Sequence, residues 1–458
     1  MRRSTRFAVV LAVALPAAAA PAQLWVRQLG TPGDDIAAAM IADGAGGVVV
    51  AGTTAGALGG PSAGGTDIWL ARYDDGGNQI WITQFGSAAD DEAHGMASDG
   101  AGGLYLSGGT LGELGGPQLG GGDAWLARCD SLGAVVWIEQ IGTVEADAAR
   151  AVAPDGAGGA FVAGWTYGKI GGLSPRGRDA WVGRYDSAGQ RLWITQLRES
   201  EANAVAPDGA GGVFVGGYDG IAWLARFDAD GVRQWFTSFS TIGCEDHLLG
   251  LAPDHAGGVF ATGYTYKYPL SCPAGSTGDK ADAWITRFDG AGAQRWTDIL
   301  QSGTDEVAAA ISSAPGGSAI IAGWTRGRLA GSGGYTGDAW AAAHSASGQR
   351  LWLRQFGGLG ADLADAIAAD GDGRVYAAGR VRGDFGAPSA GGLDAWIARL
   401  ADDCAADCNG DGALDFFDFL CFQNFFALAD PTADCDGSGE LDVMDLLCFQ
   451  NRFMAGCP

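Results

Sequence analysis

The sequence predicts an all-β fold, a seven-bladed β-propeller of four-stranded blades over residues 23–400, followed by a small α-helical module over residues 401–458. Three observations carry this reading. The segment typified by "GGDAWLARCD" (Gly121 to Asp130) recurs seven times. Its tryptophan falls at 69, 125, 181, 223, 284, 340 and 396, in steps of 56, 56, 42, 61, 56 and 56 residues. A second tryptophan, ahead of a partly kept "xxQxG" pattern, recurs at 25, 81, 137, 193, 235, 296 and 352. The cysteines are unevenly placed: six of the nine crowd the last 55 residues. Self-similarity at this period marks a repeat architecture, and the cysteine split marks a boundary near residue 401.

The first 22 residues read as a leader. Arg2, Arg3 and Arg6 form a positive region, Phe7 to Ala20 an apolar one, and Ala20-Pro21-Ala22 fits the small-residue cleavage rule. The mature chain is expected to begin at Gln23 and to be secreted or held at the cell surface. The apolar run is too short for a membrane span, and none longer follows.

Each repeat then holds four short runs, in the first copy "LWVRQLG", "DIAAAMIA", "GVVVAGTT" and "DIWLARYD". They are rich in Val, Ile, Ala and aromatics and bounded by Gly, Asp or Pro, which is the strand signature. Asp-Gly between the second and third runs signals a tight turn. The runs do not alternate apolar with polar, as suits blades buried on both faces. The chain opens on the Trp25 run and its last repeat ends on the Trp396 run, so blade seven has three strands of its own. The N-terminal strand is expected to supply the fourth, which closes the ring and removes sheet edges. Residues 24–400 resemble the bacterial β-propeller repeat family of extracellular proteins. The resemblance implies an architecture and no shared catalytic residues.

In the last segment "DCNGDGALDFFDFLCFQN" from Asp407 aligns with "DCDGSGELDVMDLLCFQN" from Asp434 at an offset of 27. Each fits a 12-residue calcium loop. The oxygen ligands of the first are Asp407, Asn409, Asp411, Asp415 and Asp418, with the carbonyl of Ala413. Those of the second are Asp434, Asp436, Ser438, Asp442 and Asp445, with the carbonyl of Glu440. Two Ca2+ ions are therefore expected. An apolar helix follows each loop, through Phe419, Leu420, Phe422 and Phe426 and through Leu446, Leu447, Phe449 and Phe453. No matching helix precedes the first loop. The module resembles a type I dockerin, which implies docking to a cohesin-like protein module and the company of polysaccharide breakdown. Loop positions 10 and 11 are Phe416-Phe417 and Val443-Met444, where cellulosomal dockerins commonly carry Ser or Thr. The cysteines suit a flanked variant clasped by Cys404 and Cys457. Cys408/Cys435 and Cys421/Cys448 hold equivalent positions, and six cysteines leave the pairing open.

A formal charge of -25 argues against nucleic acid or anionic membrane as a partner. Catalytic signatures are thin: four histidines stand at unrelated repeat positions and there is no G-x-S-x-G elbow. Candidate functions gather on one propeller face, where the loops before run two and after run three open. An acid recurs there as Asp35, Asp91, Asp147, Asp246, Glu306 and Asp362, with Glu201 one place off. It could hold a cation or cap a turn. One position breaks the symmetry: Thr53, Gly109, Trp165, Tyr218, Tyr264, Trp324 and Arg380. The arc of Trp165, Tyr218, Tyr264 and Trp324 would suit carbohydrate stacking, a protein partner, or packing of the blade tops. Cys244 and Cys272 in blade five form a candidate disulfide. The leading reading is a secreted, non-catalytic propeller that binds a glycan or protein and is carried by a calcium-dependent tail. The alternatives are a glycoside hydrolase or lyase using carboxylates on that face, and a purely structural surface protein.

Overall fold

The computed structural model describes residues 23–172, 177–241, 245–266, 280–330, 337–358, 360–400, 416–427, 433, 435 and 441–455. The expected leader (1–22), Cys244, Cys272, Cys404 and Cys457 lie outside the described residues. So do the loop positions Asp407, Asn409, Asp411, Ala413, Asp415, Asp434, Asp436, Ser438 and Glu440.

Strands β1 to β28, numbered in chain order, form seven four-stranded antiparallel sheets. Blade one runs outward from β2 (Asp35–Ala42) through β3 (Val48–Thr54) and β4 (Asp67–Tyr73) to β5 (Gln79–Phe85). Blade seven is closed by the N-terminal strand. β1 (Gln23–Leu29) pairs with β28 (Asp394–Leu400), placing Gln28 opposite Trp396. The chain is a seven-bladed propeller, as its repeats predict. No helix among the described residues is long and apolar enough to cross a membrane.

The recurrent tryptophan is the joint between blades. Seven buried clusters each draw on two adjacent blades, and each holds one copy. Trp69 meets Tyr376 and Ile397 of blade seven, and Trp125 meets Val49 and Leu70 of blade one. All seven indoles are buried. At about 200 Å² and about 25 cal/mol per Å², each contributes about 5 kcal/mol of transfer free energy. The indole fits because a glycine faces it: a Cβ on Gly52 would stand 1.7 Å from the Ile36 carbonyl oxygen and 2.9 Å from Trp69 Nε1. The outer tryptophan reaches the following blade instead. Trp25 Nε1 donates to Asp75 O at 2.7 Å and Trp137 Nε1 to Ser187 O at 3.1 Å.

The motif's other residues have local tasks. Asp67 accepts from Gln84 Nε2 at 2.8 Å, and Gln84 also clamps Leu58 N and Gly56 O of the β3–β4 loop. The arginine pairs with the turn aspartate of its own blade, as in Arg128–Asp99 (2.7 Å) and Arg184–Asp155 (2.9 Å). Blade six has Ala343 in place of the arginine and Ala314 in place of the aspartate, so the pair is lost as a unit.

The C-terminal unit holds two helices, α1 (Phe416–Ala427) and α2 (Val443–Ala455). Phe422 and Phe449 stack at 4.2 Å between ring centroids, with Phe419, Leu446 and Phe453 around them. A disulfide joins Cys435 to Cys448, and Cys421 is also disulfide-bonded.

Candidate functional site

The recurring acids are structural. Asp35 is fully buried where β2 begins. It accepts from Thr31 N and Thr31 Oγ1, at 2.5 and 3.0 Å, and from Thr54 Oγ1 at the end of β3. Asp91 with Thr110, and Glu306 with Thr325, repeat the arrangement. Blade four swaps the partners. Ser200 stands at the acid position, Asp219 at the threonine position, and Ser200 Oγ donates to Asp219 at 2.5 Å. Glu201, one place along, accepts instead from Asn203 Nδ2 at 3.3 Å. Blade seven keeps Asp362 but has Val381 for threonine. Burial, with Asp338 nearby, pushes the Asp362 carboxyl up to about 6.

The symmetry-breaking arc resolves into three parts. In blade three, Trp165 packs edge-on to Tyr167 at 5.6 Å, and the Arg178 guanidinium lies 5.9 Å from its ring. Arg178 in turn binds Glu201 at 2.9 Å. In the middle, Tyr218 and Tyr264 sandwich His247 at centroid distances of 3.8 and 4.6 Å, all three rings nearly parallel. The Tyr218 hydroxyl donates to Glu245. Burial and that bond raise its pKa, and burial lowers that of His247. In blade six, Trp324 lies under Arg326, 5.8 Å away, which pairs with Asp305. Tyr218 and Tyr264 thus spend their faces on His247.

A second symmetry-breaking ring lies deeper, on the axis. The seven innermost strands are β2, β6 (Asp91–Ser98), β10 (Asp147–Pro154), β14 (Glu201–Pro207), β18 (Glu245–Pro253), β22 (Glu306–Ala314) and β26 (Asp362–Ala369). Each carries one unpaired extra residue, a β-bulge, at the same level. These residues are Ala38, His94, Arg150, Asn203, Leu249, Ala309 and Asp365, and all seven line an axial cavity of about 190 Å³. Below them the lining is small and then apolar, through Ala39 and Met40, Gly95 and Met96, Ala151 and Val152.

Four of the seven are polar. His94 Nδ1 lies 2.8 Å from Ala149 O, which makes it the donor there. Its Nε2 faces Glu92 Oε2 at 3.1 Å and Arg150 Nη1 at 3.4 Å. The bond to His94 holds the Glu92 carboxyl below its usual range. Asn203 Nδ2 donates to Leu248 O at 3.1 Å and to Glu201 Oε1 at 3.3 Å. Asp365 lies 3.3 Å from Arg380 Nε. Burial outweighs that cation and pushes its carboxyl up to about 6. A β-bulge re-aims a side chain, and here seven of them aim into one cavity.

In the C-terminal unit, Asp418 and Asp445 are fully buried in the first turns of α1 and α2. Asp442 caps α2: Met444 N donates to its Oδ1 at 2.7 Å, while its own N–H donates to Asp445 Oδ2 at 2.8 Å. This is a reciprocal cap.

No family model matches the chain, and no curated protein matches it. Solved structures do. The WD40 β-propeller domain of Doa1 aligns over 82% of this chain and 96% of its own, at 11% identity and a TM-score of 0.48. BamB from Moraxella catarrhalis aligns over 82% and 99%, at 15% identity and 0.40. Hydrazine synthase of Kuenenia stuttgartiensis aligns over 77% and 94%, at 12% identity and 0.48.

Proposed function

We propose that this chain is a secreted, non-catalytic propeller that binds a glycan at the open end of its axis and is carried to an extracellular assembly by a dockerin-like tail. The observation that carries the reading is where the seven copies disagree. Joints, turn caps and loop clamps repeat around the ring. Variation concentrates on the arc from Trp165 to Trp324 and on the bulge ring beneath it. A surface with no repeated structural task is where recognition can be placed. Its mixture of indoles and hydrogen-bonding groups suits sugar rings. Most of the recurring carboxylates are engaged by hydroxyls and backbone N–H groups, which leaves the glycosidase reading chiefly Glu92, Glu201, Glu245 and, in the bulge ring, Asp365 among the described residues.

For the tail, the reading is supported by oxygen donors at loop spacing and by buried Asp418 and Asp445 at position 12 of each loop. With Asp407, Asn409, Asp411, Asp415, Asp434, Asp436, Ser438 and Asp442, they would hold two Ca2+ ions, and bound Ca2+ would order the loops for a cohesin-like partner.

The test is a polysaccharide panel presented to the full-length protein in calcium. Retention by at least one polymer is expected, without release of sugar, and weakened at least about tenfold by Trp165→Ala or Trp324→Ala. Turnover that disappears in Glu92→Gln, Glu201→Gln, Glu245→Gln or Asp365→Asn would replace this reading with the enzymatic one. Calorimetry should find calcium binding that weakens in Asp418→Ala and Asp445→Ala.

A further inference from the structure

We propose that the axial cavity is a subsite for the acidic end of a glycan chain, with Arg150 as the residue that binds the anionic group. The inference rests on the glycan reading above and specifies its ligand class.

Arg150 is the one Lys or Arg on the seven innermost strands. Its bulge position carries no repeated structural task, since the other six copies are Ala, His, Asn, Leu, Ala and Asp. The motif arginines at 72, 128, 184, 226 and 287 each hold a carboxylate at 2.7–2.9 Å. Arg150 forms no direct ion pair among the described residues, although the Glu92 carboxylate, on the other side of His94, feels its charge. Its single contact is the 3.4 Å approach of Nη1 to His94 Nε2, and the side chain is exposed to the cavity. A guanidinium offers a planar fork of donors suited to carboxylate or sulfate oxygens. In a chain of formal charge -25, a cation on the axis that no carboxylate pairs with directly is a place for an anion; Asp365, the one acid among the seven ring residues, is held by Arg380.

Its neighbour in the ring supplies the complement. Asn203 spends its amide N–H groups on Leu248 and Glu201, and its carbonyl oxygen has no partner among the described residues. It can accept from a hydroxyl beside the anionic group, so the pair reads a hydroxylated anion, as in a sugar acid. The cavity, about 190 Å³, is smaller than the ~300 Å³ at which pockets begin to enclose a whole drug-sized ligand. Only the head of a longer molecule can enter. The remainder must cross the rim, where Trp165 lies.

The shared chemistry is an oxyanion on a sugar, carried as a uronate carboxylate or as a sulfate ester. The experiment measures binding of the full-length protein to galacturonate oligomers, to a sulfated galactan and to neutral xylan, with wild type, Arg150→Gln and Arg150→Lys. Binding of the carboxylated or the sulfated ligand is expected, at least tenfold weaker in R150Q, partly recovered in R150K, and steeply dependent on salt in wild type. Which acidic ligand binds identifies the anion. Acidic-glycan binding that R150Q leaves unchanged, or binding confined to xylan, overturns this proposal and leaves the glycan reading standing. Binding of none of the three, together with no retention on the wider panel, ends both. Arg150 is exposed, so R150Q should fold, and an unchanged melting temperature verifies that.

Discussion

At the scale of the residue, the clearest experiment is one the repeats have already begun. Threonine answers the buried acid nineteen positions earlier in blade after blade, and where the acid becomes Ser200 the partner becomes Asp219. Blade seven lacks the answer. Asp362 has Val381 beside it, and its Oδ1 has no hydrogen-bond partner among the described residues. With a folded pKa of about 6 against about 4 when unfolded, the native state binds more protons between those values. Stability attributable to this group is therefore present at pH 4 and falls as pH rises through 6, by on the order of 2–3 kcal/mol. Val381→Thr is nearly isosteric and supplies the missing donor. It should raise the melting temperature at pH 7.5, by roughly 1 kcal/mol of stability, and change it little at pH 4. A gain of equal size at both pH values would show that the hydroxyl does not act on the Asp362 charge.

At the scale of the element, the strands were legible and the bulges were not. The tryptophans, Asp-Gly turns and complementary chain ends announce β1 to β28 and their pairing because each repeats. The extra residue in each inner strand leaves no mark in composition or alternation, since the flanking positions are alanine or glycine in every case but Leu248. The signal that could have found the ring is the third residue after the recurring acid, which reads Ala38, His94, Arg150, Leu249, Ala309 and Asp365. Asn203 joins it once Ser200 is recognised as blade four's acid position. The aromatic arc is legible as a set, but the stacking of Tyr218 and Tyr264 on His247 is not, because His247 lies on the strand paired with that of Tyr264 and in the blade after that of Tyr218. The paired loss of arginine and aspartate in blade six also belongs to this scale. Arg184→Gln leaves Asp155, with a side chain 2% exposed, without its cation. It should cost about 1–2 kcal/mol by chemical denaturation, the arginine being partly solvated. Arg184→Gln with Asp155→Asn, which keeps the turn bonds to Ala157 and Gly159, should cost less than the sum of the two single changes.

At the scale of the whole molecule, two closures hold the chain. In the C-terminal unit the Cys435–Cys448 bridge closes a separation of 13 residues, which corresponds to about 3 kcal/mol of loop entropy. Cys448→Ser should lower the unfolding temperature of that unit and leave the propeller transition in place in calorimetry. In the propeller the closure is β1 on β28. Deleting residues 23–29 removes Trp25, leaves β28 as an open edge and should lower the main transition by 10 °C or more, roughly the scale of a several-kcal/mol loss; an unchanged transition would mean that the ring does not depend on its latch. This latch also sets a clock. Leu29 and Leu400 are 371 residues apart (400 − 29), so at roughly 5–20 residues per second the ribosome takes about 20–70 s between making the first strand and completing its partner. The first strand made is among the last to pair, and until then it is an unmatched edge that must be kept from pairing with anything else.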